Sequence, residues 1–238
     1  MFAVKFRLSP ECMLRAFFEV KKMKKISVKQ LVLLAMLAAM AYMIVSIVRI
    51  PVILFLKYEP KDVVITIGGF LLGPMAAFVT SLVVSLLEMV TISDTGPIGC
   101  LMNLISTCSF ACTAAFIYKR KHTIAGAVAG LAIGWLFMVA VMLLWNWLIT
   151  PLYMGVDRAT IETMLLPMFL PFNLLKGGLN SAIVLLLYKP LVTALRKTGL
   201  VEMGSSAKPA RSKHGIYLLG FALLATCIVL LLVLQGKI

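Results

Sequence analysis

Residues 31–48 read LVLLAMLAAMAYMIVSIV, eighteen positions without a charge. At about 1.5 Å of rise per residue, a helix of that length nearly matches the roughly 30 Å hydrocarbon layer of a bilayer. A membrane-spanning β-strand would alternate polar with apolar positions, and this stretch does not. In lipid, backbone polar groups need partners within the spanning segment, so a helix is the default reading. Comparable stretches follow at residues 63–72, 74–92, 98–118, 124–149, 165–188 and 216–234. The first of these is short, and only Gly73-Pro74 divides it from the next. That dipeptide predicts a tight turn, because Gly tolerates positive φ and Pro cannot continue a helix. Residues 49–55 either extend the first helix or begin an outer loop.

The whole chain agrees with this reading. It has 238 residues, 62% of them hydrophobic and 13% charged, with a mean hydropathy of +1.04. One soluble core of this length cannot hide that much apolar surface. The expected fold class is an all-α membrane protein, with the lipid bilayer as its solvent.

Charge sets an orientation. Of the 23 Lys and Arg residues, 17 fall on one side if the amino terminus is cytoplasmic, against four (Arg49, Lys57, Lys61 and Arg158) on the other. Basic residues are retained on the cytoplasmic side. The net charge of +14 is then a topology signal that calls for no nucleic-acid partner. Glu59, Asp62, Glu88, Asp94, Asp157 and Glu162 all lie near the outer ends of spans, so polar chemistry gathers on the outer side.

Some chemistries are disfavoured. The chain has no Gly-x-x-x-x-Gly-Lys-Ser/Thr phosphate loop, so ATP hydrolysis of that kind is not expected and energised transport would need a separate motor. The two histidines sit beside basic segments, and the five cysteines form no CxxC pair. Cys108 and Cys112, one helical turn apart, read as packing residues. The chain is expected to be neither an enzyme nor a metalloprotein.

Four groups of residues stand out as candidates. Lys176 lies inside an otherwise apolar span, in Pro171-Phe-Asn-Leu-Leu-Lys-Gly-Gly178. A lysine there costs several kcal/mol unless paired or hydrated, which makes it a functional candidate; the bland alternative is that it snorkels to an interface. Asn173 lies three residues earlier, on the same helical face. Trp145-Asn146-Trp147, followed by Pro151-Leu152-Tyr153, closes the fifth span. An aromatic belt would explain the tryptophans, while Asn146 is either helix glue or a ligand-orienting amide. Glu88, the Ser93-Asp94-Thr95-Gly96-Pro97 turn and Asn103 bracket an outer loop that by itself is only a turn. On the first helix, Ala35 and Ala39 form a small-x-x-x-small pair suited to close helix approach, either within the chain or with a partner.

These residues meet a known pattern. Residues 24 to about 195 resemble an S component of an energy-coupling-factor (ECF) vitamin transporter, specifically the riboflavin type. The resemblance is carried by Gly68-Gly-Phe-Leu-Leu-Gly-Pro74, Asp94-Thr-Gly-Pro-Ile-Gly99 with Asn103, Tyr118-Lys-Arg-Lys121, Asn146 with Pro151-Leu-Tyr153, and Pro171-Phe-Asn-Leu-Leu-Lys-Gly177. It implies a six-helix bundle with a pocket opening outward. The implied ligand residues are Asn173, Lys176 and Asn146, with Asn103, Thr95, Gly96, Tyr58 and Glu59 also near the pocket. A lid between the first two helices, from Arg49 to Lys61, would carry Tyr58 and Glu59. Ala35 and Ala39 would dock on a transmembrane coupling subunit energised by two ABC ATPases.

Riboflavin is then the transported ligand, with no resident cofactor, and the location is the bacterial cell membrane with the amino terminus cytoplasmic. The organisation expected from the sequence is an amino-terminal cytoplasmic extension (1–23), the binding domain (24–196), a basic linker (197–215) and an additional transmembrane helix (216–238). Two features depart from the pattern: Cys100 stands where an acidic residue is expected, and the seventh span is extra. An S component for another vitamin or a flavin nucleotide such as FMN is the alternative. A self-sufficient secondary transporter is more remote, because no inverted repeat or mid-membrane coupling carboxylate is evident.

Overall fold

The computed structural model describes residues 27–53, 56–93, 95–197 and 214–236. The expected amino-terminal extension, most of the linker and Asp94 lie outside the described residues. Helix α1 (Val28–Ile47) leads through strands β1 (Ile50–Ile53) and β2 (Leu56–Tyr58) to α2 (Lys61–Leu72) and α3 (Pro74–Thr91). Helix α4 (Gly96–Thr107) passes through a π turn (Cys108–Cys112) into α5 (Thr113–Arg120), followed by α6 (Ile124–Leu148) and the short α7 (Thr150–Met154). Helix α8 (Arg158–Met164) continues through a second π turn (Leu165–Phe169) into α9 (Leu170–Lys197), and α10 (His214–Leu234) follows. Among the described residues, six spans are long and apolar enough to cross a membrane: Val28–Ile47, Pro74–Thr91, Gly96–Arg120, Ile124–Leu148, Arg158–Tyr188 and Tyr217–Leu234.

Local signals set the ends of the helices. Ser27 and Gln30 form a reciprocal capping box at the start of α1, where each side chain accepts from the other's backbone N–H. Gly73 turns the chain with φ +98° and Pro74 opens α3. Helix α2, at 12 residues, is too short to cross a bilayer, for it rises about 18 Å. Residues 50–53 do not extend α1: Ile50–Ile53 pairs antiparallel with Leu56–Tyr58. β-branched Ile50, Val52 and Ile53 favour the extended backbone, and Pro51 removes a donor that a helix would use.

Small residues bring the helices together. A Cβ at Gly130 would lie 2.7 Å from the Ala114 carbonyl oxygen, and one at Gly134 would lie 2.6 Å from that of Phe110, so α6 rides on the backbone of the α4–α5 span. On α1, Leu33, Leu37, Ala38, Ala41 and Val45 face inward, whereas Ala35 and Ala39 are exposed. The extra helix α10 is joined to the bundle: Gly220 packs on Leu186, and Cys227 on Gly178. At its end, the Gln235 side-chain amide donates to the Pro51 carbonyl at 2.8 Å, which ties it to the hairpin.

The hairpin is fastened from below by charge. Lys61 Nζ lies 2.8 Å from Glu59 Oε2, and 2.7 and 2.5 Å from the two Glu88 oxygens. Lys61 and Glu88 are each only 1% exposed. Arg49 Nε sits 3.3 Å from Glu59, and its Nη1 donates to the Ile92 carbonyl at 2.9 Å. Two carboxylates and two cations therefore close on themselves between the hairpin, α2 and α3.

Two stability tests follow from this packing, both read by thermal unfolding in detergent. Gly134→Val should destabilise by about 1–3 kcal/mol, because the Phe110 carbonyl cannot yield to a branched side chain. Lys61→Met leaves the Glu88 carboxylate buried without its cation and should cost about 3–5 kcal/mol, of which adding Glu88→Leu should recover much.

Candidate ligand-binding site

A cavity of about 700 Å³ opens where the hairpin meets the ends of α4, α6 and α9, a size typical of small-molecule sites. Arg49, Leu56, Lys57 and Glu59 line its roof. Ser93, Thr95, Ile98, Gly99, Met102, Asn103 and Ser106 form one wall, and Met142, Trp145, Asn146, Ile149, Thr150, Tyr153 and Met154 another. Phe172, Asn173 and Lys176 supply the α9 side. Aromatic rings and thioethers thus surround a few fixed polar groups.

Each polar group is held by its own element. The second π turn sits just before Asn173, where Pro167 and Pro171 each remove a backbone donor and the helix widens. Asn173 Nδ2 donates to the Phe169 carbonyl at 2.7 Å, leaving its carbonyl oxygen and second N–H for the cavity. Asn146 Nδ2 donates to the Met142 carbonyl at 2.8 Å, and Asn146 Oδ1 accepts from Thr150 Oγ1 at 3.0 Å. Asn103 Nδ2 donates to Glu88 Oε2 at 2.9 Å, which turns its carbonyl oxygen away from the ion cluster.

Lys176 does not snorkel. It is 7% exposed, donates to Ser106 Oγ at 3.2 Å, and pairs with Asp62 Oδ2 at 3.3 Å. Asp62 was legible in the sequence only as one of several outer acidic residues. Its pairing with a lysine 114 positions away depends on α2 lying against α9.

Six of the eight residues expected at the pocket line it: Asn173, Lys176, Asn146, Asn103, Thr95 and Glu59. The other two are placed differently. Gly96 adopts φ +56° at the start of α4 and serves the turn rather than the wall. Tyr58, at the end of β2, is 3% exposed and does not line the cavity, donating to Asn180 Oδ1 at 2.9 Å. Burial and the nearby Asp62 carboxylate push its phenol above the ordinary tyrosine value, so it stays a neutral donor. The two tryptophans divide. Trp145 lines the cavity, whereas Trp147 donates to Glu162 at 2.9 Å and stacks under Arg158 outside it. Arg49 and Lys57 also line the cavity; their segment signalled a lid, but nothing in the sequence aimed these two side chains inward.

The family model for the substrate-specific component of ECF transporters matches residues 29–188. The chain is 30% identical over 149 residues to the riboflavin transporter RibU of Staphylococcus aureus (strain TCH60), an alignment covering 60% of this chain and 78% of that protein. It is 25% identical over 143 residues to the riboflavin transporter FmnP of Bacillus subtilis (strain 168), covering 56% and 75% respectively. The solved structure of the S component of a bacterial ECF transporter superposes with a TM-score of 0.60 at 29% identity, over 71% of this chain and 98% of that one. The family match ends at residue 188 and so leaves α10 beyond it. With its apolar spans and its cavity under a hairpin, this chain belongs to the ECF transporter family as a multi-pass membrane protein, the substrate-specific component.

Proposed function

We propose that this chain captures riboflavin on the outer face of a bacterial cell membrane and delivers it inward with an energising module. The observation that carries this reading is the cavity itself, where Lys176, Asn173 and Asn146 face walls built from Trp145, Tyr153, Phe172 and methionines. A planar tricyclic ring gains affinity by burial against such walls, and a few placed polar groups supply selectivity. Asn146 and Asn173 offer both donors and acceptors to the ring carbonyls and nitrogens, and Lys176 offers a donor. Glu59, Thr95 and Asn103 face the part of the cavity where a polyhydroxyl chain would need acceptors. The similarity to two riboflavin transporters supports the same ligand.

Delivery calls on partners. In this reading a transmembrane coupling subunit docks on the exposed Ala35 and Ala39 face of α1, where small side chains allow close helix approach. Two ABC ATPases supply the energy. In this reading residues 24–196 form the binding domain and the amino terminus is cytoplasmic, which the distribution of Lys and Arg supports.

Protein purified from flavin-replete cells should carry a yellow chromophore that mass spectrometry identifies as riboflavin. A different mass, including that of FMN, would replace the ligand and keep the scaffold. Lys176→Ala and Asn173→Ala should each weaken riboflavin binding, measured by quenching of flavin fluorescence, by about tenfold or more; parent-like affinity in both would remove the site assignment. Ala35→Trp combined with Ala39→Trp should leave binding intact and abolish uptake in cells.

A further inference from the structure

Asp62 stands in the first turn of α2, is 0% exposed, and does not line the cavity. A buried carboxylate without partners would be costly, and here every bond it makes leads to another element. Asp62 Oδ1 accepts from Thr107 Oγ1 at 2.7 Å on α4. Asp62 Oδ2 accepts from Asn180 Nδ2 at 3.3 Å and faces Lys176 Nζ at the same distance, both on α9. Asn180 lies one helical turn beyond Lys176, and its carbonyl accepts from the Tyr58 hydroxyl at 2.9 Å. The chain of contacts therefore runs from the hairpin roof through Tyr58, Asn180 and Asp62 to the lysine on the cavity wall.

The ammonium of Lys176 has three N–H donors. Asp62 and Ser106 take two of them, and the third is left for the cavity. A lysine stem alone carries considerable rotamer freedom, and an unpaired ammonium in this interior would be expensive. The carboxylate removes both problems. It fixes the direction of the remaining N–H and cancels the charge, so the cavity offers a hydrogen-bond donor without requiring an anion in return. An uncharged ring with carbonyl and imine acceptors suits that arrangement.

We propose that Asp62 is a positioning residue for ligand capture: it holds and neutralises Lys176 on the cavity wall and, through Asn180 and Tyr58, couples that lysine to the hairpin roof. The proposal rests on the riboflavin reading above and adds to it a residue that touches no ligand.

The test is a set of riboflavin titrations on the full chain in detergent. Asp62→Asn keeps the size and one acceptor but removes the charge, and should weaken binding about tenfold or more. Asp62→Asn with Lys176→Met should bind no more weakly than Lys176→Met alone, whereas the losses of Asp62→Asn and Asn146→Ala should multiply, because Asn146 shares no partner with Asp62. Tyr58→Phe should accelerate riboflavin release several-fold while leaving the association rate within about twofold, as expected when a closing contact is lost.

Parent-like binding by Asp62→Asn, or multiplication of its loss with that of Lys176→Met, overturns the proposal. If Asp62→Asn alone does not fold, the double variant carries the test, since the buried pair is then replaced by two neutral groups. Binding more than about fivefold weaker than that of Lys176→Met would then overturn it. A Lys176→Met variant that binds like the parent is a different result: it removes the site assignment of the riboflavin reading.

Discussion

Among the described residues, two ammonium groups lie in the interior of this membrane protein, and the positions of their counter-charges govern how its outer half is built. Lys61 is shared by Glu59 and Glu88, and Lys176 is matched by Asp62. In a medium of low polarity, each of these charges would be costly alone. Pairing them requires the end of the hairpin, α2, α3 and α9 to meet in one arrangement, because the partners are spread over all four. Hydrophobic packing could bring these elements together in many ways. The ion pairs accept few of them.

This division of labour is visible along the membrane normal. Toward the basic end of the bundle, α6 lies on the α4–α5 span through Gly130 and Gly134, and Phe70, Tyr118 and Tyr188 pack ring against ring. Contacts there are close and mainly apolar, with a hydrogen bond between the Tyr118 and Tyr188 hydroxyls. At the opposite end the helices separate around the cavity, and polar side chains hold the opening to a fixed size. A π turn with Pro167, followed by Pro171, distorts the helix just before Asn173 and Lys176 face the cavity. The distortion costs helix regularity where a ligand needs side chains brought out of the regular 3.6-residue pattern.

The additional helix α10 fits the same scheme. Its Gly220 and Cys227 let it lie close along α9, and its end reaches the hairpin through Gln235. Leu230, Leu231 and Leu234 join the apolar cluster under Val52, Leu56 and Tyr58. It is therefore bonded to the roof of the cavity as well as to the bundle, although the sequence offered it only as an appended span.

Much of this was legible in one dimension. Hydropathy and length located the spans, Gly73-Pro74 announced the turn between α2 and α3, and the apolar setting of Lys176 marked α9 as the helix to watch. These signals are local: each depends on residues within a turn or two of one another. The counter-charge of Lys176 was not legible, because Asp62, Glu59 and Glu88 look alike in sequence and only helix packing selects one of them. Nor could the sequence turn Tyr58 toward Asn180 or Arg49 toward the cavity, since side-chain direction in a hairpin follows from register and from what the hairpin rests upon. The sequence by itself determined a helical membrane protein with a polar lesion in its penultimate span. The tertiary structure decided which carboxylate answers which lysine, because attraction between buried charges depends on their separation in space, whatever their separation along the chain.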